Sequence, residues 1–508
     1  MNLTSEQRQV GRDNFFNALG VTRRDLVKTA AVAPVAGAFY FSYKQPAGNP
    51  VRAGLIGSGN QGGLLLTESN PDFLQFVAYS DIRPSQIERI KYGDPNSSNR
   101  IGFLRKYELN EEQFQREIRF YDDYHRLLGN PDIELVVIAL PLHAHYQAVM
   151  DALHAGKHVF CEKLMAREIR QCKEMARLAK EKGLYLATGH QRHYNVLYDN
   201  ALSLINDNLL GDIRHIRAQW HRNHSWPRMK NGQMEQADGK VQLKDSWRRE
   251  ISEVDAQTDF KRFGYKSLEE LCWWPLFKRT SGGLMAELGS HQLDACSIFL
   301  GNVHPLAVSG IGGKYYCEDE REVDDHVFAT FEFPGFNHPL GKNRGTREND
   351  IVVVSYSAIE TNSIDRFGEQ VMGTRGTLIV EDDQEVMLFK EPAPGENTPA
   401  RETKLTITST STDEPVLDTS ESPDTPTAAS GYAQAVLSTG VSRGYREELE
   451  HLAYCIRNPE AEDQPRCHSQ IALASAVSAL TANRAIHSGR RIEFSPAWFD
   501  IHSDEVPD

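Results

Sequence analysis

From Val51 onward, short apolar runs alternate with amphipathic stretches in the manner of repeated strand–helix units. Residues 51–56 form a short apolar strand that runs straight into a glycine turn. Residues 73–80 predict a second strand, ending at Asp81. Residues 134–140 are apolar almost throughout and stop at Pro141, the pattern of a parallel strand covered by helices on both faces. Residues 158–161 add another, and 184–188 close the series as a sixth strand candidate. In 169–182 the positions Ile169, Cys172, Ala176 and Ala179 recur at helical spacing. Residues 92–118 are polar and irregular and read as an insertion on the sheet's rim. The series fits a dinucleotide-binding sheet complete by residue 190.

Beyond that point the pattern changes. Residues 213–220, 327–333, 351–358 and 377–380 predict strands of a separate sheet. A long polar stretch, 227–280, interrupts them and carries Trp247, Trp273 and Trp274. Residues 391–430 are rich in Thr, Ser, Pro, Asp and Glu with few large apolar side chains, the composition of a loop or disordered insertion. Helices are expected over 447–456 and 469–487, with a tail from 496 to 508. No internal repeat and no membrane span is visible.

A chain of 508 residues exceeds one ordinary core, so two domains are expected, here 51–190 and 191–495. The net charge of −14 excludes a broad nucleic-acid surface while leaving room for a small ligand in a local pocket. Seven cysteines form no CxxC pair and read as small buried apolar groups. Near the N-terminus, Thr22-Arg23-Arg24-Asp25-Leu26-Val27-Lys28 precedes a weakly apolar run broken by Pro34 and Gly37, and Ala36-Gly37-Ala38 has the form of a cleavage site. Together they resemble a twin-arginine export signal. The expectation is a periplasmic or exported protein, cytoplasmic otherwise, in which residues 1–38 stand outside the fold and 39–50 form a linker.

Gly57-Ser58-Gly59-Asn60-Gln61-Gly62 is a G-x-G-x-x-G turn placed between strand and helix. The first glycine permits the tight turn, the second lets backbone approach a pyrophosphate, and the third lets helix pack on strand. Asp81 ends the next strand nineteen residues after Gly62, placed to accept from a ribose 2′-hydroxyl. Its charge favours NAD over NADP, and Arg83 works against that preference, so NADP stays open.

Further motifs carry a resemblance. Pro141-Leu-His-Ala-His145, the run Gly156-Lys-His-Val-Phe-Cys-Glu162-Lys163, Gly189-His-Gln-Arg192, the run Gly282 to Asp294 containing Glu287 and His291, and Thr374-Arg-Gly-Thr-Leu378 resemble signatures of the Gfo/Idh/MocA family. The resemblance implies an α/β Rossmann domain followed by an α+β domain with a large, mostly antiparallel open sheet. It implies a homo-oligomer, and a cofactor set of Gly57, Gly59, Asn60, Gln61, Gly62, Asp81, Pro141, His145, Glu162 and Lys163. Lys163, His291 and Glu287 become the expected catalytic residues. Physical chemistry agrees, because hydride leaves a carbinol carbon only as its hydroxyl proton is removed. His291 suits the base, Lys163 a developing alkoxide, and Glu287, four positions earlier, the orientation of the imidazole. Two positions depart from the family pattern: Leu164 stands where proline is usual, and Glu287 where aspartate is usual.

The stretch Trp220-His221-Arg222-Asn223-His224-Ser225-Trp226 sets hydrogen-bonding groups between two indoles, which suits a sugar. Arg192, His221, Arg222, Asn223, Trp226 and Asp294 are the expected substrate contacts, with the Trp247 and Trp273-Trp274 segments as weaker candidates. His221 with His224, and His143 with His145, have metal-ligand spacing but no third ligand in view, so no metal is expected. Three functions follow. The first is an NAD(P)-dependent oxidoreductase acting on a carbinol of a sugar, polyol or glycoside. The second is an NAD-retaining redox-neutral enzyme, either a sugar–sugar oxidoreductase or an oxidation-assisted glycosidase. The third is a non-catalytic carbohydrate-binding protein.

Overall fold

The computed structural model describes residues 3–19, 41, 43, 48–230, 232–237, 239–392, 399–402, 406–409, 415–418 and 442–507. The arginine pair and the cleavage motif lie outside these residues.

Six strands build the first sheet: β1 (Val51–Ile56), β2 (Leu74–Ser80), β3 (Arg119–Tyr121), β4 (Leu135–Ile138), β5 (His158–Cys161) and β6 (Leu186–Thr188). All neighbours are parallel in the order β3-β2-β1-β4-β5-β6, the Rossmann order. Every side chain of β4 is buried, as its unbroken apolar run requires. Strand order reverses between β1 and β4, which opens a crevice beyond their carboxyl ends. β3 escaped the sequence pattern because two of its three side chains are exposed. The rim segment 92–118 is also more regular than its composition: helices Gly102–Lys106 and Glu111–Glu117 bring Phe103 and Phe114 against Tyr79.

The second sheet has eight strands: β7 (Ile213–His221), β8 (Ala307–Gly313), β9 (His326–Pro334), β10 (Ile351–Ile359), β11 (Phe367–Gly373), β12 (Gly376–Glu381), β13 (Glu385–Lys390) and β14 (Ile492–Glu493). Their order is β13-β12-β11-β7-β10-β9-β8-β14, antiparallel except for the β7–β10 pair. Helices Ser290–Phe299 and Ser469–Ser488 pack against this sheet, and the second of them also meets helix Ile169–Glu181 of the first domain. Alternation in β9 and β10 leaves Phe328 and Val353 exposed.

Both ends of the chain differ from expectation. The tail is docked: Trp498, Phe499 and Ile501 are buried, and Lys173 Nζ donates to the carbonyls of Ala497 (2.7 Å), Ser503 (3.0 Å) and Glu505 (2.6 Å). Helix α1 (Ser5–Ala18), capped by Thr4 and Gln7, lies on β13. Phe15 is fully buried there, Asn14 Nδ2 donates to Leu388 O at 3.1 Å, and Arg8 and Arg12 pair with Glu381 and Glu385. This helix is part of the fold, although residues 1–38 were expected to stand outside it. Within 391–430, Thr406–Ser409 and Pro415–Asp418 pair as an antiparallel ladder where a loop was expected; the rest of that run is largely outside the described residues.

Candidate active site

A cleft of about 880 Å³ lies at the strand-order reversal. Its floor is the glycine turn. Gly57 has φ +90°, and a Cβ there would lie 2.4 Å from Ala139 O; a Cβ at Gly62 would lie 2.1 Å from Gly57 O. Gly59 instead faces open space and precedes helix Asn60–Glu68, whose first turn has no side-chain cap. Free N–H groups at a helix N-terminus beside a vacant glycine face suit a pyrophosphate. Asp81 lines the same cleft, its carboxylate accepting from Ser58 N (2.7 Å), Ser58 Oγ (2.9 Å) and Arg83 N (2.9 Å). The residues present therefore fit a dinucleotide, with Gly59, Asn60, Gln61 and Asp81 in the cleft and Gly62 holding helix to strand beneath it.

Pro141, Glu162 and Lys163 line the cleft as expected. Glu162 Oε1 accepts from Gln61 Nε2 at 2.9 Å, and burial pushes its carboxyl up to about 7. His145 does not reach the cleft. Its ring nitrogens lie 2.8 Å from Leu140 O and 2.9 Å from Leu164 O, so it ties the loop after β4 to the loop after β5.

Lys163, Glu287 and His291 line the same cleft. Lys163 Nζ donates to Glu287 O at 2.7 Å and lies 3.7 Å from Glu287 Oε2, so its side chain is aimed despite Leu164. Ser281 Oγ donates to Glu287 Oε1 at 3.1 Å. Burial pushes the Glu287 carboxyl up, against the pull of Lys163. Glu287 does not orient His291 as expected, its carboxyl being engaged elsewhere. Residues Met285–Gly289 make a π-helical turn, which alters the register that an α-helix gives positions four apart, and the carboxylate points to Ser281 and Lys163. His291 packs its ring 5.4 Å from Trp220, and its Nδ1 has no hydrogen-bond partner. Burial, then the charges of Lys163 and Arg192, hold its imidazole well below the usual histidine value.

The expected substrate contacts are not in the cleft. Arg192 is buried behind it, Nε donating to Asp383 Oδ1 at 2.9 Å. Asp294 accepts from Ser475 Oγ at 2.8 Å and meets His193 Nε2 at 3.1 Å, which anchors the turn presenting Gln191 to the cleft. His221 meets Ser357 Oγ at 2.9 Å across the sheet. Arg222 donates to Glu360 at 2.7 Å and stacks 4.2 Å from the Trp247 ring, so it backs a cleft wall without forming it. Asn223 Oδ1 accepts from Ser225 N and Oγ, and Trp226 is 66% exposed. A third partner does accompany His224: its Nδ1 lies 3.2 Å from Asp245 Oδ1 and contacts Glu360 Oε2, all three buried. Arg222 and Arg321 pair with these carboxylates, making a buried charge network.

Segment 227–280 contributes to the cleft wall instead, through Trp247, Arg249, Phe263, Tyr265, Trp273 and Trp274. Only the tryptophans were flagged by the sequence, and only weakly.

A family model described as an oxidoreductase family NAD-binding Rossmann fold matches residues 51–190, and one described as the C-terminal alpha/beta domain of that family matches 203–490. The chain belongs to the Gfo/Idh/MocA oxidoreductase family. Its first domain is accordingly NAD-binding. Among curated relatives, an inositol 2-dehydrogenase/D-chiro-inositol 3-dehydrogenase of Lactiplantibacillus plantarum is 40% identical over 108 residues, 21% of this chain and 31% of that protein. A trans-1,2-dihydrobenzene-1,2-diol dehydrogenase of Bos taurus is 25% identical over 218 residues, 43% of this chain and 50% of its own. Both matches span less than two thirds of the relative's length. The Caulobacter crescentus aldose-aldose oxidoreductase complexed with glycerol shares the fold at a TM-score of 0.54 and 17% identity, covering 88% of this chain and 100% of that one. A levoglucosan dehydrogenase in complex with NADH and L-sorbose does so at 0.56 and 17%, covering 88% and 99%.

Proposed function

We propose that this Gfo/Idh/MocA protein is an NAD-dependent oxidoreductase acting on a carbinol of a sugar, polyol or glycoside. The observation that carries the reading is a half-buried His291, its Nδ1 without a hydrogen-bond partner, sharing one cleft with the Lys163 ammonium, the glycine turn and the indoles of Trp247 and Trp274. When bound, the nicotinamide supplies a two-electron acceptor for hydride from the carbinol carbon. His291 takes the hydroxyl proton, and burial keeps it free to do so at neutral pH. Lys163 donates to the substrate oxygen while negative charge accumulates there, and Glu287 holds the ammonium in place from both its carbonyl and its carboxyl. The indoles offer flat apolar surfaces to the C–H faces of a ring. The test is nicotinamide absorbance against a panel of sugars, polyols and glycosides. Sugar-dependent signal should fall at least about 100-fold in Lys163→Met and His291→Asn; undiminished signal in both variants would falsify the assignment.

One observation favours the second reading, in which NAD is retained through a redox-neutral cycle. Segment 227–280 is fastened to the cofactor domain: Arg83 pairs with Asp255, and Arg249 Nη1 donates to Asn60 Oδ1 at 3.3 Å. On this reading, cofactor exchange would require these contacts to part. Protein purified without added nucleotide and exhaustively desalted should then carry stoichiometric NAD(H) by mass spectrometry, whereas empty protein would favour an exchangeable cofactor. The segment Thr22 to Lys28 supports export by the twin-arginine route, where a captive cofactor suits a compartment without a nicotinamide pool; cell fractionation tests it.

A further inference from the structure

Asp255 is a fully buried aspartate on a short turn of the 227–280 segment, and its four hydrogen bonds all come from one place. Oδ2 accepts from Arg83 Nε (3.1 Å), Arg83 Nη2 (2.7 Å) and Ser85 Oγ (2.6 Å), and Oδ1 accepts from Ser85 N (2.9 Å). Burial alone would push this carboxyl up; Ser85 and Arg83 outweigh it and hold the carboxyl below the ordinary aspartate value. The donors are a guanidinium fork, a hydroxyl and a main-chain N–H in the first turn of helix Pro84–Tyr92. Such a set recognises a phosphate. It also follows Asp81 directly in sequence, and Asp81, Arg83 and Ser85 line the cleft together.

A ribose whose hydroxyls meet Asp81 carries its 2′ position toward Arg83 and Ser85, the groups that would receive the additional phosphate of NADP. We propose that Asp255 fills that phosphate site from within the protein and so makes the chain select NAD over NADP. Arg83, which taken alone would favour NADP, is neutralised and its fork occupied. The paired site then offers no free cation or donor to a dianion, while Asp81 still repels it. The selectivity determinant thus sits in the second domain's insertion, 170 residues in sequence from the Ser85 donor it occupies. The inference rests on dinucleotide binding alone and stands or falls independently of the sugar-carbinol reading.

The experiment measures NADH and NADPH dissociation constants by nicotinamide fluorescence on the full chain freed of bound nucleotide. Wild type should bind NADPH at least about 100-fold more weakly than NADH. Asp255→Asn should narrow that ratio at least about 10-fold, chiefly by tightening NADPH, and adding Arg83→Gln should cancel the gain. If Asp255 serves only to fasten the segment, Asp255→Asn will weaken both nucleotides equally and leave the ratio unchanged, which overturns the proposal. Asp81→Asn provides a check that leaves the buried pair intact. It should still discriminate against NADPH, and equal affinity for the two nucleotides in that variant, or in wild type, would equally overturn it.

Discussion

Glu369→Gln tests the buried network in which the structure places Arg192. Tyr198 Oη lies 2.8 Å from Glu369 Oε2 and 2.9 Å from Asp383 Oδ1, Gln292 Nε2 donates to Glu369 Oε1 at 2.7 Å, and Arg192 Nε donates to Asp383. Tyrosine has one hydroxyl proton for two carboxyl groups. Asp383 carries the ion pair with Arg192, so Glu369 is the carboxyl left to bring the proton for its own bond to Tyr198. Burial supports this, pushing the Glu369 carboxyl up to about 7 in spite of Arg192. An unfolded glutamate titrates near ~4.3. Between those values the folded state holds a proton that the unfolded state has lost, so stability falls as pH rises from about 4.5 to about 7 and levels off above. At about 1.4 kcal/mol per pKa unit the full loss amounts to roughly 4 kcal/mol, most of it between pH ~5 and pH ~8. Glutamine copies the protonated acid, accepting from Gln292 and donating to Tyr198. In urea unfolding followed by tryptophan fluorescence, Glu369→Gln should match wild type near pH ~5 and exceed it by roughly 2–3 kcal/mol near pH ~8. A variant equally destabilised at both pH values would refute the protonated glutamate and mean that an ionised Glu369 pairs with Arg192.

Other consequences are more local. Lys163→Met should lower kcat/KM by about 100- to 1,000-fold while changing NADH affinity only a few-fold. Because the Lys163 charge helps to hold His291 uncharged, its loss should also move the acid limb of the pH–rate profile upward; an unmoved limb would separate the two residues. Deleting residues 1–19 strips Phe15 and its neighbours from β13, where a Cβ on Gly11 would already lie 2.5 Å from the Phe389 ring. The loss of one buried phenylalanine costs about 3–5 kcal/mol. The truncated chain should melt several degrees lower, and coincident melting curves would show that α1 adds nothing to the sheet.

The parts of this fold that could be read from sequence are those whose cause is local. β4 announces itself because both its faces are covered and every residue is apolar. β3, with two exposed side chains, and β8, with glycines at 310, 312 and 313, carry no comparable pattern and are held by their neighbours. Lys163, Glu287 and His291 were found because their motifs survive as short strings, yet the role of Glu287 was misread through an α-helical spacing that the π-helical turn replaces. The substrate wall failed for a different reason. At the end of β7, His221 to Asn223 have the chemistry of a sugar site, but their partners, Ser357 and Glu360 on and just after β10 and Ser225 in the next loop, draw them away from the cleft. Segment 227–280 has no periodicity to announce it. Its position is set by buried ion pairs to residues far away in sequence, Asp255 with Arg83 and Asp245 with Arg321, and no local window contains both partners.

That placement joins two properties that are usually separate. The same segment supplies Trp247, Trp273 and Trp274 to the cleft wall and Asp255 to the donors Arg83 and Ser85. Trp273 Nε1 donates to Arg249 O, and Arg249 reaches Asn60 on the cofactor-binding helix, so wall and fastening are linked by direct hydrogen bonds. If the cofactor leaves past this segment, the cleft wall that the segment forms opens with it. An enzyme that exchanged NAD at every turnover would rebuild its substrate site each time, while one that kept its NAD could leave the wall closed. On that argument, removing the Arg249 contact with Asn60 by Arg249→Ala should speed NADH release and raise the substrate KM together, and a variant that changed one without the other would uncouple the fastening from the wall.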